Sequence, residues 1–596
     1  GSPYYEYGAG RQSQRNPVGL LNQITDGAVT NRILGNISAS YMVLPTLSAQ
    51  VNVGVDRSGS VRQTYWPIAS PAGAEFSGRA RQVNRDLSSA TFQGVVTWSP
   101  KFGSRHETEV VGGYEYATYK IGEFGVEAQQ FLTDAFTFNN LGGGGSPYQQ
   151  PYSFVQDSRL ASFFARANYG FDGKYFVTAV IRRDGSSRFG AGNKYATFPA
   201  VSAAWKISEE GFMKGSPFSE LRLRAGYGEQ GNQGVTPYQS LTLLGTSGGA
   251  RYVFGSQVYT GVVPTQNPNP NLKWETTSQT SVAADFGILN NRVTGTVEYY
   301  SKTTKDLLFT VAVPQPAPVP TQLQNIGTME NNGFEATVDW NIWSQRDKSW
   351  TSGFILTVER NKITDLGQGR TFIGTGDVSG QGQSGQQSQR LIVGQPVGTF
   401  YGPEFVGVNA QGKQVFNSYN TSGALSGTTT TPSAQDFRIL GNANPDFAYS
   451  WRNQLTLGQF DIAAIFRGQV GGKTFNNTAL VYATKGNALQ SKNFLRSALT
   501  DGIGINEPAI FSSRYIEDAT FLRLQNLTVG YTFQMPGTVR SNSARVYLSA
   551  DNLFLLTDYT GYDPEVFAAA GLASRGIDYL SYPRARTFTA GLRIIY

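Results

Sequence analysis

The sequence predicts an all-β chain, a transmembrane antiparallel β-barrel. Three observations predict it: a two-residue alternation carried to the last residue, connections that are short and long by turns, and no apolar run long enough for a spanning helix. Residues 32 to 56 show the alternation most clearly. Ile33, Gly35, Ile37, Ala39, Tyr41 and Val43 fall on one face and Leu34, Asn36, Ser38 and Ser40 on the other. Past a short turn, Leu47, Ala49, Val51, Val53 and Val55 alternate with Ser48, Gln50, Asn52, Gly54 and Asp56. Successive side chains of a strand point to opposite faces, so this segment is a β-hairpin with a greasy side and a wet side. When a whole chain is built this way, the greasy side meets lipid and the wet side lines a lumen.

Composition narrows the class. The 596 residues include 69 Gly, 31 Tyr and 37 Phe, only 15% are charged, and the mean hydropathy is −0.29. A helical membrane protein is not hydrophilic on average, whereas a barrel hides its membrane affinity in every second residue. The chain has no cysteine, which rules out disulfides and thiolate metal sites. The net charge of +7 is spread without a basic run, so it reads as contact with anionic surface lipid, if it has a role, and not as a nucleic-acid footprint.

The connections set the topology, because such barrels turn tightly on the periplasmic side and loop widely outside. Short links are expected at 44–46, 100–105, 172–174, 289–292, 344–349, 457–459 and 536–543, with a somewhat longer one at 209–219. Long links, rich in Gly, Ser, Thr, Asn and Pro, are expected at 58–85, 129–156, 184–194, 229–275, 305–330, 365–445, 472–515 and 556–584. The links separate about 17 strands, whereas bacterial single-chain barrels have even numbers. With the first turn periplasmic, the strand beginning near Asn31 starts outside, and residues 1–30 lie outside the cell. The simplest resolution is an upstream piece with an odd number of strands; no signal peptide is visible. The alternative is a smaller, even-stranded, porin-like barrel starting at Leu47, with residues 1–46 as a periplasmic extension. At the other end Phe588, Ala590, Leu592, Ile594 and Tyr596 alternate with Thr589, Gly591 and Arg593. A terminal strand ending on an aromatic residue is what barrel-assembly machinery recognises.

Alternation places Asp56, Arg166, Arg182, Arg222, Arg224, Glu335, Asp339, Glu359 and Arg593 on the wet face. Buried dry, each would be costly unless paired, so the lumen holds water or a polar plug. The bland role for any one of them is to hydrate the wall or hold the plug. Direct contact with a solute is the sharper one. Trp98, Trp205, Trp340, Trp343 and Trp350 fall near periplasmic strand ends, where an amphipathic ring suits the headgroup level. Trp66, Trp274 and Tyr401 lie beside long outer loops and are candidate stacking or anchoring aromatics. The long segments 365–445 and 472–515 are the expected places for selection of a solute or for contact with a lid.

Catalysis has little support. The single histidine, His106, adjoins a periplasmic turn without a partner motif, and the four glycines 142–145 lack the lysine of a phosphate loop. Glu209 and Glu210 belong to a turn. No cofactor or metal is implied, and nothing converges on an active centre.

A set of landmarks resembles the SusC/RagA group of TonB-dependent outer-membrane transporters. Arg182-Arg183-Asp184-Gly185-Ser186-Ser187-Arg188-Phe189-Gly190 is followed by Phe198-Pro199-Ala200-Val201-Ser202-Ala203-Ala204-Trp205 and by Ser208-Glu209-Glu210. In the family's order come also Asn16-Pro17 with Leu20-Leu21, Leu223 to Gly228, Asn269 to Glu275, Asn325-Ile326-Gly327 with Asn332 to Glu335, Gly394 to Gly402, Gly441 to Pro445, Asp551 to Phe554, and Tyr582-Pro583-Arg584. The resemblance spans nearly the whole chain and implies a 22-strand barrel of a Gram-negative, Bacteroidetes-like outer membrane. It further implies an N-terminal plug, a SusD-like surface lipoprotein as lid, and import of oligosaccharides or peptides energised by TonB. It is consistent with two such units pairing. Residues 1–596 then form a C-terminal portion of the barrel, with the plug and its TonB-contacting segment outside this sequence. One stretch departs from the family: Ser418 to Ser433 is rich in Thr and Ser where acidic residues are common, which puts a loop cation site in doubt. A passive porin, or a SusC-like barrel serving as scaffold in a larger assembly, are the readings to be weighed against an importer.

Overall fold

The computed structural model describes residues 16–70, 72–145, 150–246, 250–380, 382–490, 492–534, 543–566 and 575–595. Tyr596 and most of the expected turn at 536–543 lie outside them. A short helix, α1 (Pro17–Gln23), opens the described chain; the Asn16 side chain accepts the N–H groups of Val18 and Gly19, and Pro17 occupies a first-turn position where no N–H is needed.

Seventeen strands then form one sheet. They are β1 (Thr25–Leu44), β2 (Leu47–Trp66), β3 (Arg79–Trp98), β4 (His106–Gln129), β5 (Gln150–Phe171), β6 (Tyr175–Ser186), β7 (Tyr195–Lys206), β8 (Phe218–Asn232) and β9 (Glu275–Ile288). The series continues with β10 (Val293–Lys305), β11 (Thr328–Ser344), β12 (Lys348–Asp365), β13 (Phe447–Leu457), β14 (Phe460–Val470), β15 (Phe521–Gln534), β16 (Ser543–Thr557) and β17 (Thr587–Ile595). Each pairs antiparallel with the next, and among the described residues no ladder joins β1 to β17. A start at Leu47 is overturned: β1 pairs with β2 from Thr25↔Tyr65 down to Leu44↔Leu47.

The register carries the two faces across the sheet. Ile37 lies opposite Val53, Val53 opposite Phe92, Phe92 opposite Tyr116 and Tyr116 opposite Ala161, while Asn36, Gly54, Thr91 and Ala117 make the neighbouring row on the other face. On the first face large apolar side chains stand open, including Val55, Phe163, Ile181, Val201, Val282, Leu548 and Phe588. A continuous open apolar wall of this kind is a lipid-facing surface.

Several strands exceed expectation. The chain remains in β-structure to Trp66 and resumes at Arg79, although a loop was expected over 58–85, and the strand after the 129–156 link starts already at Gln150. The first strand begins at Thr25, not near Asn31. Strands β1 to β5 are 20 to 24 residues long, about twice what crossing the bilayer needs. The reason is chemical. Above the lipid both faces meet water, so Arg57, Ser58 and Ser60 no longer alternate in polarity although their ladder continues.

The long outer links are also structured. Residues 372–377, 387–392, 399–403 and 437–442 form a four-stranded sheet, 405–408, 414–419 and 425–429 a three-stranded one, and 473–476 joins 516–518 and 577–578 in another. Asp436 closes the second of these. Its carboxylate accepts the N–H groups of Tyr419 and Ser433 at 3.0 and 2.8 Å, and these backbone donors hold its pKa down at about 2. A carboxyl held below its unfolded value of 3.8 contributes stability that is complete above about pH 4 and is lost as pH falls through about 2. Hydrogen exchange over residues 405–437 should therefore speed up below pH 4. Asp436→Asn should show the fast exchange already at pH 6, with no further change through that window.

Candidate functional site

The wet face is laced with ion pairs. Asp56 receives Arg32 through two hydrogen bonds of 2.8 and 2.6 Å, and Arg166 donates to Glu109 at 2.9 Å. Arg182 lies between Asp184 at 2.8 Å and Glu115 at 3.7 Å. Arg222 and Arg224 share Asp285 at 2.9 and 2.8 Å, and Arg224 also faces Glu298 at 3.8 Å. Glu298 stands opposite Glu335, and Asp339 pairs with Arg452. The registers put all of these on the face opposite Val53 and Phe92. The paired partners Arg32, Asp285, Glu298 and Arg452 were missed in the sequence, although their parity along the strand was the available signal. Arg593 stands opposite Arg545, which is held by Asp461 at Oδ1 from 2.8 Å.

Above this wall three of the long outer links knit into one body. Val378, Phe400, Phe475, Leu480, Phe511 and Ile577 pack together with Tyr515 and Ala483, so segments 372–442, 473–515 and 575–578 share one apolar core. Phe475 meets Phe511 edge-on at 4.8 Å. The expectation of long irregular loops is thus corrected, because apolar residues scattered singly through Gly- and Ser-rich sequence collapse onto one another.

Between this body and the barrel wall lies a cavity of about 300 Å³, with Thr357, Glu359, Ala448 and Gln469 on the strand side and Glu565 and Arg575 on the loop side. Beside it, Arg523 on β15 is 1% exposed. Its guanidinium donates to both oxygens of Asp563 at 2.8 and 2.7 Å and lies 3.1 Å from Glu565. Arg584 reaches the same two carboxylates at 3.2 and 3.3 Å, and Arg467 pairs with Glu565. This network fastens the segment after β16 onto the lumen side of β14 and β15. A contact over 40 residues of sequence leaves no local pattern, so it was not legible beforehand.

The outer aromatics divide three ways. Trp274, expected to be open to a solute or to headgroups, is instead 6% exposed among Phe189, Phe198, Val235 and Leu272, with its Nε1 donating to the carbonyl of Lys194. That correction has a local cause: the 269–275 segment folds over the turn after β6, and Gly190 donates its N–H to Leu272. A Cβ at Gly190 would fall 1.8 Å from the Pro270 carbonyl oxygen, so only glycine admits the crossing. Trp66 lies on the wet face under the Arg79 guanidinium, 4.9 Å from its ring. Tyr401 is partly covered by Arg390 at 4.0 Å. At the short-turn ends, Trp98, Trp205, Trp340 and Trp343 are exposed, and Trp350 packs edge-on against Trp343.

His106 contacts the Tyr169 hydroxyl, and Glu210 accepts from Tyr175 and Lys174 at a short turn, which are structural contacts. Among the described residues no group of three or more acidic or imidazole side chains is placed to hold a metal ion.

Residues 3–553 match the family model described as TonB dependent receptor-like, beta-barrel. The chain is 32% identical over 605 positions to TonB-dependent receptor P3 of Formosa agariphila, covering 97% of this chain and 59% of that protein. It is 29% identical to TonB-dependent receptor SusC of Bacteroides thetaiotaomicron, covering 100% of this chain and 58% of SusC. The fold superposes on the structure of the RagAB peptide transporter with a TM-score of 0.85 at 25% identity, covering 99% of this chain and 64% of that one. The chain therefore spans about three-fifths of the length of the curated relatives it matches. With its seventeen-strand meander, open apolar wall and wet charged face, it belongs to the TonB-dependent receptor β-barrel family of Gram-negative outer membranes, and within it to the SusC/RagA group.

Proposed function

We propose that the protein imports oligosaccharides or peptides across the outer membrane, energised through TonB, with a SusD-like lipoprotein closing over the outer body. The observation that carries this reading is the superposition of nearly the whole chain on the RagAB peptide transporter. The wet face lines the lumen, and Asp56, Arg166, Arg182, Arg222, Arg224, Glu335 and Asp339 hold a polar plug and water there. The length by which SusC exceeds this chain leaves room for such a plug and for the strands that complete a barrel of 22. Captured solute meets the outer body first, and Glu359 and Arg575 face it from opposite sides of the 300 Å³ cavity.

A strain carrying the whole gene separates the readings. Uptake of labelled peptides and oligosaccharides should depend on the gene and stop when TonB is deleted. Uptake that persists without TonB makes the barrel a passive porin. Growth and uptake that never depend on the gene, with a surface assembly lost in its absence, make it a scaffold.

A further inference from the structure

The lipid-facing wall of β2 to β5 ends abruptly. The outward residues of β2 are Leu47, Ala49, Val51, Val53, Val55 and then Arg57. In β4, Tyr114, Tyr116 and Thr118 precede Lys120 in the same way. Arg57, Ser88 and Lys120 occupy one row across three strands. Counted from the short turn before Leu47, ten residues at about 3.3 Å per residue and a tilt of roughly 40° rise about 25 Å, the height of a barrel's apolar band. The row therefore lies where the outer-leaflet headgroups begin.

The wall is recessed at that height. The next outward row is Gly59, Asp86 and Gly122, so two of three strands present no side chain, and a cavity of about 490 Å³ opens beneath Arg57 and Lys120. Neither cation makes an ion pair among the described residues. Asp157, the carboxylate opposite Lys120 on β5, is already engaged by the Tyr238 hydroxyl and stands 4.0 Å from Arg159. Asp86 lines the recess and offsets one of the two positive charges.

We propose that this recess seats the phosphate of an outer-leaflet lipid headgroup, held by Arg57, Lys120 and the Ser88 hydroxyl, while its acyl chains lie on Val55, Phe92 and Tyr116. The source is a lipid and not free phosphate, because with Asp86 lining it the net charge of the recess is too small to retain a small anion in water. Acyl chains add burial that a free anion lacks, and a basic site at a membrane surface adds attraction for each cation. This inference depends on the outer-membrane orientation alone, so it stands or falls separately from the importer reading.

The protein purified from outer membranes in detergent tests it by native mass spectrometry of the lipid that survives washing, followed by titration with nanodiscs containing lipid A or phosphatidylcholine alone. The wild type should retain a phosphorylated lipid and prefer lipid A. Arg57→Gln with Lys120→Gln should weaken that preference roughly 10- to 30-fold. Gly122→Leu keeps both charges and fills the recess; its Cβ meets nothing nearer than Val155 at 3.8 Å, so the barrel should still fold while retention falls as in the double variant. Heat-modifiable mobility of the folded barrel monitors this. Equal retention by the wild type and both variants overturns the proposal, as does displacement of the lipid by inorganic phosphate.

Discussion

Arg523→Ala frees residues 558–566 and 575–584 from the barrel wall. Arg523 is the centre of a network in which two carboxylates, the buried Asp563 and the partly buried Glu565, depend on guanidinium groups for compensation. Its other nitrogen donates to Asn552, and the cation stands 5.4 Å over the Phe521 ring, so truncation removes packing as well as charge. Breaking a buried pair from one side costs roughly 3–5 kcal/mol, chiefly because the partner charge stays behind. The expected result is fast hydrogen exchange at 558–566 and 575–584, with exchange in β1 to β8 unchanged. Asp563→Asn should have a smaller effect in the same peptides, since it removes a charge and leaves a polar group in place. Uptake should fall with Arg523→Ala, because Glu565 and Arg575 line the cavity beside the wall. Unchanged exchange in both peptides would mean that the network does not fasten the loop.

Phe475→Ala should loosen the whole outer body while the barrel stays folded. Phe475 is fully buried, belongs to the strand that joins 516–518 on one side and 577–578 on the other, and abuts Phe511. Emptying such a site costs roughly 3–5 kcal/mol. Protease should then cut within 372–442 and 477–515, whereas Phe92→Ala on the lipid wall should leave these segments protected. The shared core also bears on how selectivity can be tested. Removing 365–445 takes Val378 and Phe400 out of the same cluster, so lost uptake after that deletion reports collapse of 473–515 as much as loss of a selective surface. Point changes at Glu359 or Arg575, which face the cavity without belonging to the core, are the cleaner probes.

Most of the barrel was legible because a strand's period of two is local. One row of side chains meets lipid and the next meets water, so Ile37, Val53 and Phe92 declare one face, and Asp56 and Arg182 the other, before any partner strand is known. The short links follow from the same pattern, as do the aromatics at their ends. Its reach stopped where both faces meet water, and there β2 and β3 outran the boundaries expected for them.

What the sequence by itself determined was therefore the fold class, the count of strands, the two faces and the family. Only the tertiary structure decided which charges are paired, that Trp274 is core and not a platform, and that three of the outer links form one body beside a buried Arg523. The physical reason is range. Alternation is written within a few residues, whereas Arg523 with Asp563, Trp274 with Lys194, and Phe475 with Ile577 are brought together by burial of apolar surface between segments far apart in the chain, which leaves no periodic trace.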